Sequence, residues 1–280
     1  MSLIRKEIEN HYLEVQQSER LASGVGELER LRTETILAAH LPPPPAVVYD
    51  VGGAAGVYAF PLAERGYTVH LVDPVELHLK QARSRAAASG VALASITLGD
   101  ALLLGATSQA ADAVLLFGPI YHLIDKAERH EALREAFRIL KPGGVVFAAA
   151  VSRFASLIDG YVEGFLQDPE FRQIVTADLT SGQHRNPTGN SAYFTTSYFH
   201  RPEELAAEVA EAGFQNTKVL AVEGPVWSAA RFSKTWKDEA QRKTLLEFLA
   251  IVEQEPSIRG ASAHLIAVAE RPKLQGRGNS

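Results

Sequence analysis

One stretch of sequence, residues 47–73, constrains the fold of this chain more than any other. It opens with an apolar run that holds Asp50 near its end, which is typical of a strand buried in a parallel sheet. Three glycines follow where the chain has to turn, and glycine tolerates positive φ and lets a ligand approach the backbone closely. These glycines are Gly52, Gly53 and Gly56.

The remainder of this stretch predicts a helix and a second strand. A helix that begins near Gly56 would direct unpaired backbone N–H groups at a ligand. A second apolar run, residues 68–72, ends at Asp73, close to the spacing at which a dinucleotide-type fold places an acid on a ribose. The stretch therefore predicts a βαβ unit that binds a nucleoside.

The glycine spacing argues against a nicotinamide cofactor. The G-x-G-x-x-G fingerprint fails from either Gly52 or Gly53, because alanine, valine or tyrosine stands where the later glycines are needed. The chain has D-x-G-x-x-x-G instead, with an acid two residues before the first glycine.

Apolar runs and amphipathic helical patterns continue to alternate after this unit. Strands that alternate with helices at short spacing predict a parallel sheet covered by helices on both faces. The further strands are expected at residues 93–98, 111–117, 145–151, 217–222 and 263–269.

Two motifs resemble those of a known family. The acid and the glycines around Ala54 are similar to motif I of the class I S-adenosylmethionine-dependent methyltransferases, E/D-x-G-x-G-x-G, with this alanine replacing the middle glycine. The run RILKPGG at residues 138–144 resembles the signature before the fifth strand of that family. The resemblance covers roughly residues 46–272. It implies a Rossmann-like, seven-stranded, mostly parallel sheet whose last strand lies antiparallel between the fifth and the sixth.

The resemblance also implies S-adenosylmethionine as the cofactor. Asp50 would hold the amino group of the methionine moiety, directly or through water, and the three glycines would let the cofactor approach the turn. Asp73 would accept both ribose hydroxyls, and as the residue before Pro74 it could cap a helix as well. Asp100 would accept from the adenine amine, with the backbone of Ala101 nearby, and Phe117 would border the methionine end.

Candidates for catalysis follow the fourth and fifth predicted strands. The run GPIYHL at residues 118–123 resembles a GPLYHL segment of bacterial small-molecule methyltransferases and contains Tyr121 and His122. His122 is a candidate base or substrate-orienting group, and the alternative is a histidine that packs and caps the next helix. Arg153 is a candidate partner for a substrate carboxylate, and a surface ion pair is the alternative.

An aromatic insert interrupts the alternation at residues 154–199. It holds eight of the 22 aromatic residues of the chain, roughly twice an even share. A long insert in a compact domain is usually functional or disordered, and the aromatic residues argue against disorder. We therefore expect a partly helical lid over the substrate, with a loop in its polar half that includes His184.

The domain boundaries follow from these patterns. Residues 1–45 are expected to form an N-terminal cap of two helices around a break at 23–26, with Tyr12 as a residue that could close over the cofactor. Residues 46–272 form the methyltransferase domain, and residues 273–280 a tail that frays.

Composition narrows the function. The net charge is −5 without a basic stripe, which argues against nucleic acid as the partner. The chain has no cysteine, and its nine histidines, His200 among them, follow no tight carboxylate pattern, so no metal site is expected. Without a secretory signal or an apolar run of membrane-spanning length, a soluble cytoplasmic protein is expected.

The sequence thus predicts a methyltransferase that transfers a methyl group to an oxygen, nitrogen or carbon atom of a small molecule. Two alternatives stay open. One is a cofactor-binding regulatory protein without turnover, and the other is a nucleotide-dependent oxidoreductase on the same α/β layout. The oligomeric state is not predicted.

Overall fold

The computed structural model describes residues 5–14 and 20–273 of the chain. It confirms the α/β class and a mostly parallel sheet. The strand count differs from the prediction, because the described part of the chain forms nine strands and not seven. The strands are β1 (Val47–Val51), β2 (Thr68–Asp73), β3 (Ser95–Leu98), β4 (Ala111–Leu116), β5 (Leu140–Ser152), β6 (Gln183–His184), β7 (Ser197–His200), β8 (Gln215–Ala221) and β9 (His264–Glu270).

Parallel pairing joins six of these strands, five of them in the order β3-β2-β1-β4-β5 and β7 at the end of β5. On the other edge of β5 lies β9, which is antiparallel to both β5 and β8. The predicted antiparallel entry of the last strand between its two neighbours is therefore confirmed. Because the parallel strands end at one edge, the residues that follow β1 to β4 meet there.

Helices cover both faces of the sheet with two apolar cores. Leu133 and Leu205 represent one core, and Ile36 and Phe60 represent the other. The helices are α1 (Lys6–Glu14), α2 (Gly24–His40), α3 (Ala59–Glu64), α4 (Glu76–Ser89), α5 (Pro119–His122), α6 (Lys126–Ile139), α7 (Ala155–Val162), α8 (Pro169–Ser181), α9 (Pro202–Glu211), α10 (Phe232–Thr235), α11 (Glu239–Val252) and α12 (Pro256–Arg259).

Several predicted boundaries shift. The helix after β1 begins at Ala59, because residues 54–58 first form turns beyond the glycines. In the N-terminal cap, α2 already begins at Gly24, so most of the predicted break at 23–26 is helical. The predicted tail, residues 273–280, lies outside the described residues except for residue 273.

The aromatic insert is a folded unit attached to the sheet. It contributes α7, α8 and the two additional strands, β6 and β7. Strand β7 pairs in parallel with the end of β5, at Val151–Phe199 and Ser152–His200. Strand β4 pairs with one edge of β5 only as far as Ala148, and β9 occupies the opposite edge. Strand β7 therefore pairs with the edge of β5 that β4 leaves unpaired beyond Ala148. The predicted polar loop is partly a strand, because His184 is buried in β6.

Candidate active site

A cavity of about 470 Å³ lies at the carboxyl ends of the parallel strands. Gly52 follows β1, Asp73 ends β2, Asp100 follows β3 and Phe117 follows β4, and all four residues line it. The N-terminal cap covers the other side. Its lining residues are Arg5, Ile8, Tyr12, Arg20, Leu21, Glu29 and Thr33.

The structure brings most of the predicted site residues to this cavity. Asp50, Gly56 and Arg153 do not line it, and neither does any residue of the aromatic insert within the described part of the chain. The predicted residues that line it are Gly52, Gly53, Asp73, Asp100, Ala101, Phe117, Tyr121 and His122.

The glycine turn is required by the packing of the protein itself. A Cβ atom on Gly52, whose φ is +79°, would lie 2.7 Å from the carbonyl oxygen of Phe117. On Gly53 it would lie 2.3 Å from the Leu71 side chain. Ala54 has a φ of +48°, a left-handed conformation that glycine adopts at lower cost. This left-handed backbone explains why motif I has glycine at the position of Ala54.

Asp50 lies directly behind the turn. Its carboxylate is fully buried, and Oδ2 is 2.5 Å from the position that a Cβ of Gly53 would take. Neither oxygen makes a hydrogen bond of ordinary geometry within the described residues, and the backbone of Ala59 offers only a weak one that offsets little of the burial. Burial, together with the charge of Asp73, raises the pKa of Asp50 to about 7. An unpartnered buried carboxylate behind a cavity-lining glycine fits a cationic group bound in front of it, such as an amino group.

Asp73 already accepts three hydrogen bonds. Its Oδ2 accepts from the backbone N–H of Ala54 at 2.9 Å, and Oδ1 accepts from the N–H of Val75 at 2.9 Å. His78 Nδ1 lies 2.9 Å from the same Oδ1 and also lines the cavity. A carboxylate has about four acceptor positions, so a ribose hydroxyl would share these oxygens. Both readings of Asp73 are compatible, since it supports the start of α4 and faces the cavity.

Asp100 and Ala101 form the wall after β3. Oδ1 of Asp100 accepts from the backbone N–H groups of Leu102 at 2.8 Å and Leu103 at 3.2 Å, which fixes the carboxylate in a turn. Ala101 is buried beside it. The turn therefore presents an acidic edge next to an apolar surface, a combination suited to a purine with an exocyclic amine.

His122 is held from both sides. Nε2 lies 2.6 Å from the Tyr12 hydroxyl oxygen, and Nδ1 lies 3.2 Å from the carbonyl oxygen of Thr196. A carbonyl only accepts, so Nδ1 carries the proton and Nε2 accepts from Tyr12. Burial lowers the pKa of His122 to about 4, so the ring is neutral near pH 7. Both nitrogens have partners, which favours a ring that links the cap to the insert over a general base.

Tyr121 lies beside His122, with ring centroids 4.6 Å apart. Burial raises the pKa of the Tyr121 phenol to about 12, so it is protonated and can donate a hydrogen bond. It lines the cavity next to Gly118 and close to Phe117, the residue expected to border the methionine end.

Arg153 is placed away from the cavity. The guanidinium is buried, donates to the carbonyl oxygen of Phe199 at 2.7 Å and pairs with Glu204 at 2.6 Å. These contacts attach β7 and α9 to the end of β5. They do not leave the guanidinium facing a substrate. Arg153 is held in an ion pair, which is buried and not at the surface as the alternative expected.

His184 and His200 also lie outside the cavity lining. His184 is buried between Asp178, 2.9 Å from Nδ1, and the carbonyl oxygen of Tyr193, 2.8 Å from Nε2. His200 is buried with Nε2 3.3 Å from a Glu208 oxygen. Both rings are engaged within the fold.

A cluster of polar side chains at the far end of the cavity was not predicted from the sequence. Glu29 and His264 line the cavity, and His264 Nδ1 lies 2.6 Å from Oε1 of the buried Glu223 and 3.6 Å from Glu29. Arg20 forms a two-point ion pair with Glu29 at 2.6 and 2.9 Å. Burial acts against a charged imidazole, but Glu29 and Glu223 outweigh it and raise the pKa of His264 to about 8.

One atom each of Glu29, Glu223 and His264 lies within 4.8 Å of the other two, close enough to consider a metal ion. The hydrogen bonds and ion pairs described above already engage these atoms. Burial alone would raise the pKa of Glu29, but Arg20 and His264 lower it, so the carboxylate is charged and compensated. The arrangement is that of an internally paired network.

Comparison with known proteins agrees with this geometry. Residues 48–144, from β1 to the start of β5, match the family described as methyltransferase domain. This segment carries the glycine turn, Asp73, Asp100 and His122.

Curated relatives match the same region and beyond. The chain is similar to the ubiquinone biosynthesis O-methyltransferase of Caulobacter vibrioides, 31% identical over 116 residues, or 41% of this chain and 45% of the relative. It is similar to the protein of that name from Methylobacterium nodulans, 32% identical over 164 residues, 55% of this chain and 63% of the relative. The matched region thus spans about half to two thirds of these relatives' length.

Solved structures share the fold at low identity. A methyltransferase of Thermotoga maritima, described as a possible histamine N-methyltransferase, superposes with a TM-score of 0.57 at 19% identity, over 94% of this chain and 99% of that one. A methyltransferase of Methanosarcina mazei gives 0.57 at 15% identity, over 85% and 97%. Residues 48–144 thus match a methyltransferase domain, and the solved structures show that the chain shares the fold of these methyltransferases.

Proposed function

We propose that this chain binds S-adenosylmethionine in the cavity at the carboxyl edge of the sheet and transfers its methyl group to a small molecule. The observation that carries the proposal is the unpartnered, buried carboxylate of Asp50 behind Gly53. It lies directly behind a cavity that Asp73 and Asp100 also line. A bound cation in front of Gly53 would compensate Asp50, and a nucleoside would meet the two further acids.

Each residue has a separate part in the proposed site. Asp50 would stabilise the methionine amino group by charge, across the backbone of Gly53. Asp73 would accept from the ribose hydroxyls and Asp100 from the adenine amine. Phe117, Tyr121 and the residues of the N-terminal cap would exclude water.

S-adenosylmethionine supplies a methyl group bound to a sulfonium sulfur, and the thioether that remains after transfer is a good leaving group. The protein therefore chiefly has to align the acceptor and keep water out. The N-terminal cap supports this requirement, because Ile8, Tyr12 and Leu21 cover the cavity with mostly apolar surface. The ring of Tyr121 adds aromatic surface to the wall next to Gly118. No acid–base step is required of His122 in this scheme.

The names of the curated relatives favour an oxygen atom as the acceptor, because they are described as O-methyltransferases. The mostly apolar surroundings of Ala149, Val222 and Ile266 in the cavity suit a small organic acceptor. We also propose that the protein is cytoplasmic and that its partner is neither nucleic acid nor a membrane. No helix in residues 5–14 and 20–273 has the length and apolar character needed to cross a bilayer.

Calorimetry with S-adenosylhomocysteine, with NAD as the comparison ligand, tests the proposal. We expect micromolar binding of S-adenosylhomocysteine and no heat from NAD. Transfer of a labelled methyl group from S-adenosylmethionine to a panel of small hydroxylated compounds would then show turnover. Binding without transfer to any acceptor would favour a regulatory role, and binding of NAD alone would contradict the proposed cofactor.

A further inference from the structure

The geometry points to a catalytic residue at the far end of the cavity: His264, held by Glu223, accepts the proton of a phenolic hydroxyl on the methyl acceptor. This inference rests on the proposed function. It goes further by naming the base and the chemical class of the acceptor.

Glu223 fixes the imidazole of His264 in one orientation. Its Oε1 is 2.6 Å from Nδ1, and its Oε2 accepts from the backbone N–H of His264 at 2.9 Å and from the hydroxyl of Ser262 at 2.8 Å. Glu223 is fully buried. Because an ionised carboxylate only accepts, Nδ1 carries a proton and Nε2 is the nitrogen left to accept another one. A buried carboxylate that orients a histidine in this way is the usual support of a general base.

Nε2 of His264 is available to a ligand. It makes no hydrogen bond to any other group in the part of the chain that the structure describes, and the ring lines the cavity. His122, the base candidate from the sequence, differs in this respect because both of its nitrogens are engaged.

Apolar side chains form the floor of the cavity beside His264. Ala149 of β5 pairs with Ile266 of β9, and both line the cavity together with Val222. His264 is two residues before Ile266 on β9, so the two side chains share one face of the strand. A flat aromatic ring resting on this apolar floor would therefore place a substituent at its edge next to His264. This is why a phenol suits the site.

The charges around His264 match a phenol as well. Glu29 from α2 and Glu223, which follows β8, face the ring, and Arg20 is paired with Glu29. The two carboxylates stabilise the imidazolium that forms when the proton arrives. A histidine whose pKa is about 8 can take a proton from a phenol, whose pKa is about 10 like that of tyrosine, far more easily than from an aliphatic alcohol.

The step conserves atoms and electrons. The O–H bond of the acceptor breaks and its proton moves to Nε2 of His264, while a lone pair of that oxygen forms the new bond to the methyl carbon. The carbon–sulfur bond breaks with its electron pair remaining on sulfur, which becomes a neutral thioether. The imidazolium, paired with Glu223, then releases its proton to water.

Substitutions at three positions test the inference. His264→Gln keeps an N–H donor for Glu223 but cannot accept a proton, and Glu223→Gln keeps the shape but removes the charge. His130→Gln is the matched control, because His130 forms a pair with Glu211 at 2.8 Å outside the cavity. Acceptors are catechol and a nitrated catechol that is already ionised at the assay pH.

We expect His264→Gln to reduce kcat with catechol by about a hundredfold or more, and to reduce it much less with the ionised nitrocatechol. The wild-type rate should rise as the pH rises through about 8, because the imidazole must be neutral. Glu223→Gln should move this rise to lower pH. Independently of turnover, NMR titration of histidine carbons should show the His264 signal titrating at lower pH in Glu223→Gln. His130→Gln should change none of these values.

Equal losses with both catechols in His264→Gln, or an unmoved NMR titration in Glu223→Gln, would overturn the inference. So would activity that a chelator abolishes and a divalent ion restores, since the three groups would then hold a metal. Absence of catechol turnover by protein that binds S-adenosylhomocysteine would overturn the inference and leave the cofactor site standing. Failure to bind S-adenosylhomocysteine would overturn the proposed function itself.

Discussion

The hydroxyl oxygen of Tyr12 lies 2.6 Å from Nε2 of His122, so a side chain of the N-terminal cap donates a hydrogen bond to the turn that follows β4. The cap and the carboxyl edge of the sheet are thereby joined across 110 residues of sequence. Through Nδ1 the same ring reaches the carbonyl of Thr196 in the aromatic insert. His122 therefore links the two elements that the sequence predicted to cover the site.

Removing the Tyr12 hydroxyl should loosen the cap. For Tyr12→Phe we expect hydrogen exchange in α1 to become faster and S-adenosylhomocysteine to dissociate about fivefold faster, because a buried hydrogen bond worth about 1 kcal/mol is lost. Tyr67→Phe is the control, since the Tyr67 hydroxyl donates to the carbonyl of Pro42 away from the cavity. Equal effects of the two substitutions would show that the Tyr12 bond has no special role in closing the site.

Acid should destabilise the protein through His122. Its pKa is about 4 in the folded chain, below the ordinary value of 6.5. The unfolded chain therefore binds a proton that the folded chain does not, and the free energy of unfolding should fall as the pH drops from 6.5 to 4, by about 3 kcal/mol. His122→Asn should flatten this part of the stability curve, measured by urea unfolding. A curve with the same slope in the variant would mean that other groups cause the acid sensitivity.

Asp50 should act in the opposite direction. Its folded pKa of about 7 lies above the ordinary 3.8, so its contribution to stability is complete below pH 3.8 and is lost as the pH rises through 7. At pH 8 Asp50→Asn should stabilise the unliganded protein by about 2 kcal/mol, because an unpaired buried charge disappears. The same change should weaken S-adenosylhomocysteine binding by at least tenfold. A variant that is no more stable, or that binds as tightly, would contradict the role assigned to Asp50.

Asp73→Ala tests the ribose contact. Loss of a charge-assisted, two-point acceptor should weaken S-adenosylhomocysteine binding by about 2–3 kcal/mol in calorimetry. His78→Ala is the matched control, because it removes a neighbour 2.9 Å from the same carboxylate and leaves the charge. Its affinity should stay within tenfold of wild type. A loss below about 0.5 kcal/mol in Asp73→Ala would mean that Asp73 only supports the start of α4.

Hydrogen exchange can decide whether the aromatic insert is a lid. Its own core, around Phe171, Ile174 and Tyr193, is buried, yet no described residue of the insert lines the cavity. If residues 154–199 close over the substrate, their amides should exchange quickly in the unliganded protein and become protected with S-adenosylhomocysteine and acceptor bound. Equal protection in both states would identify a packed structural unit. The N-terminal cap would then be the covering element.

The βαβ unit could be predicted because its information is local. Strand, glycine turn, helix and terminal acid follow one another within residues 47–73, and the spacing alone placed Gly52 and Asp73 at one edge. The helix start was misplaced because turns at residues 54–58 carry no distinct signal. The antiparallel last strand was expected from the family and not from its own residues.

The polar end of the cavity could not be predicted, because its members are far apart in sequence. Glu29 is on α2, Glu223 follows β8 and His264 begins β9, and only the sheet brings them together. Strands β6 and β7 have only two and four residues and pair with distant or short partners. They are too short for the alternation of apolar and polar residues that indicates a strand. The ion pair of Arg153 could not be predicted for the same reason, since its partner Glu204 lies 51 positions away.

The way the insert joins the sheet has an evolutionary consequence. Residue 154 leaves the end of β5, and β7 returns beside that same end, where the N–H of Arg153 donates to the carbonyl of His200 at 2.8 Å. The entry and exit of the segment are therefore about one strand spacing apart, roughly 5 Å. A segment with adjoining ends behaves as a cassette: descendants of this fold can lengthen, shorten or exchange it without rethreading the sheet. Such exchanges leave the strands that form the nucleoside edge in place.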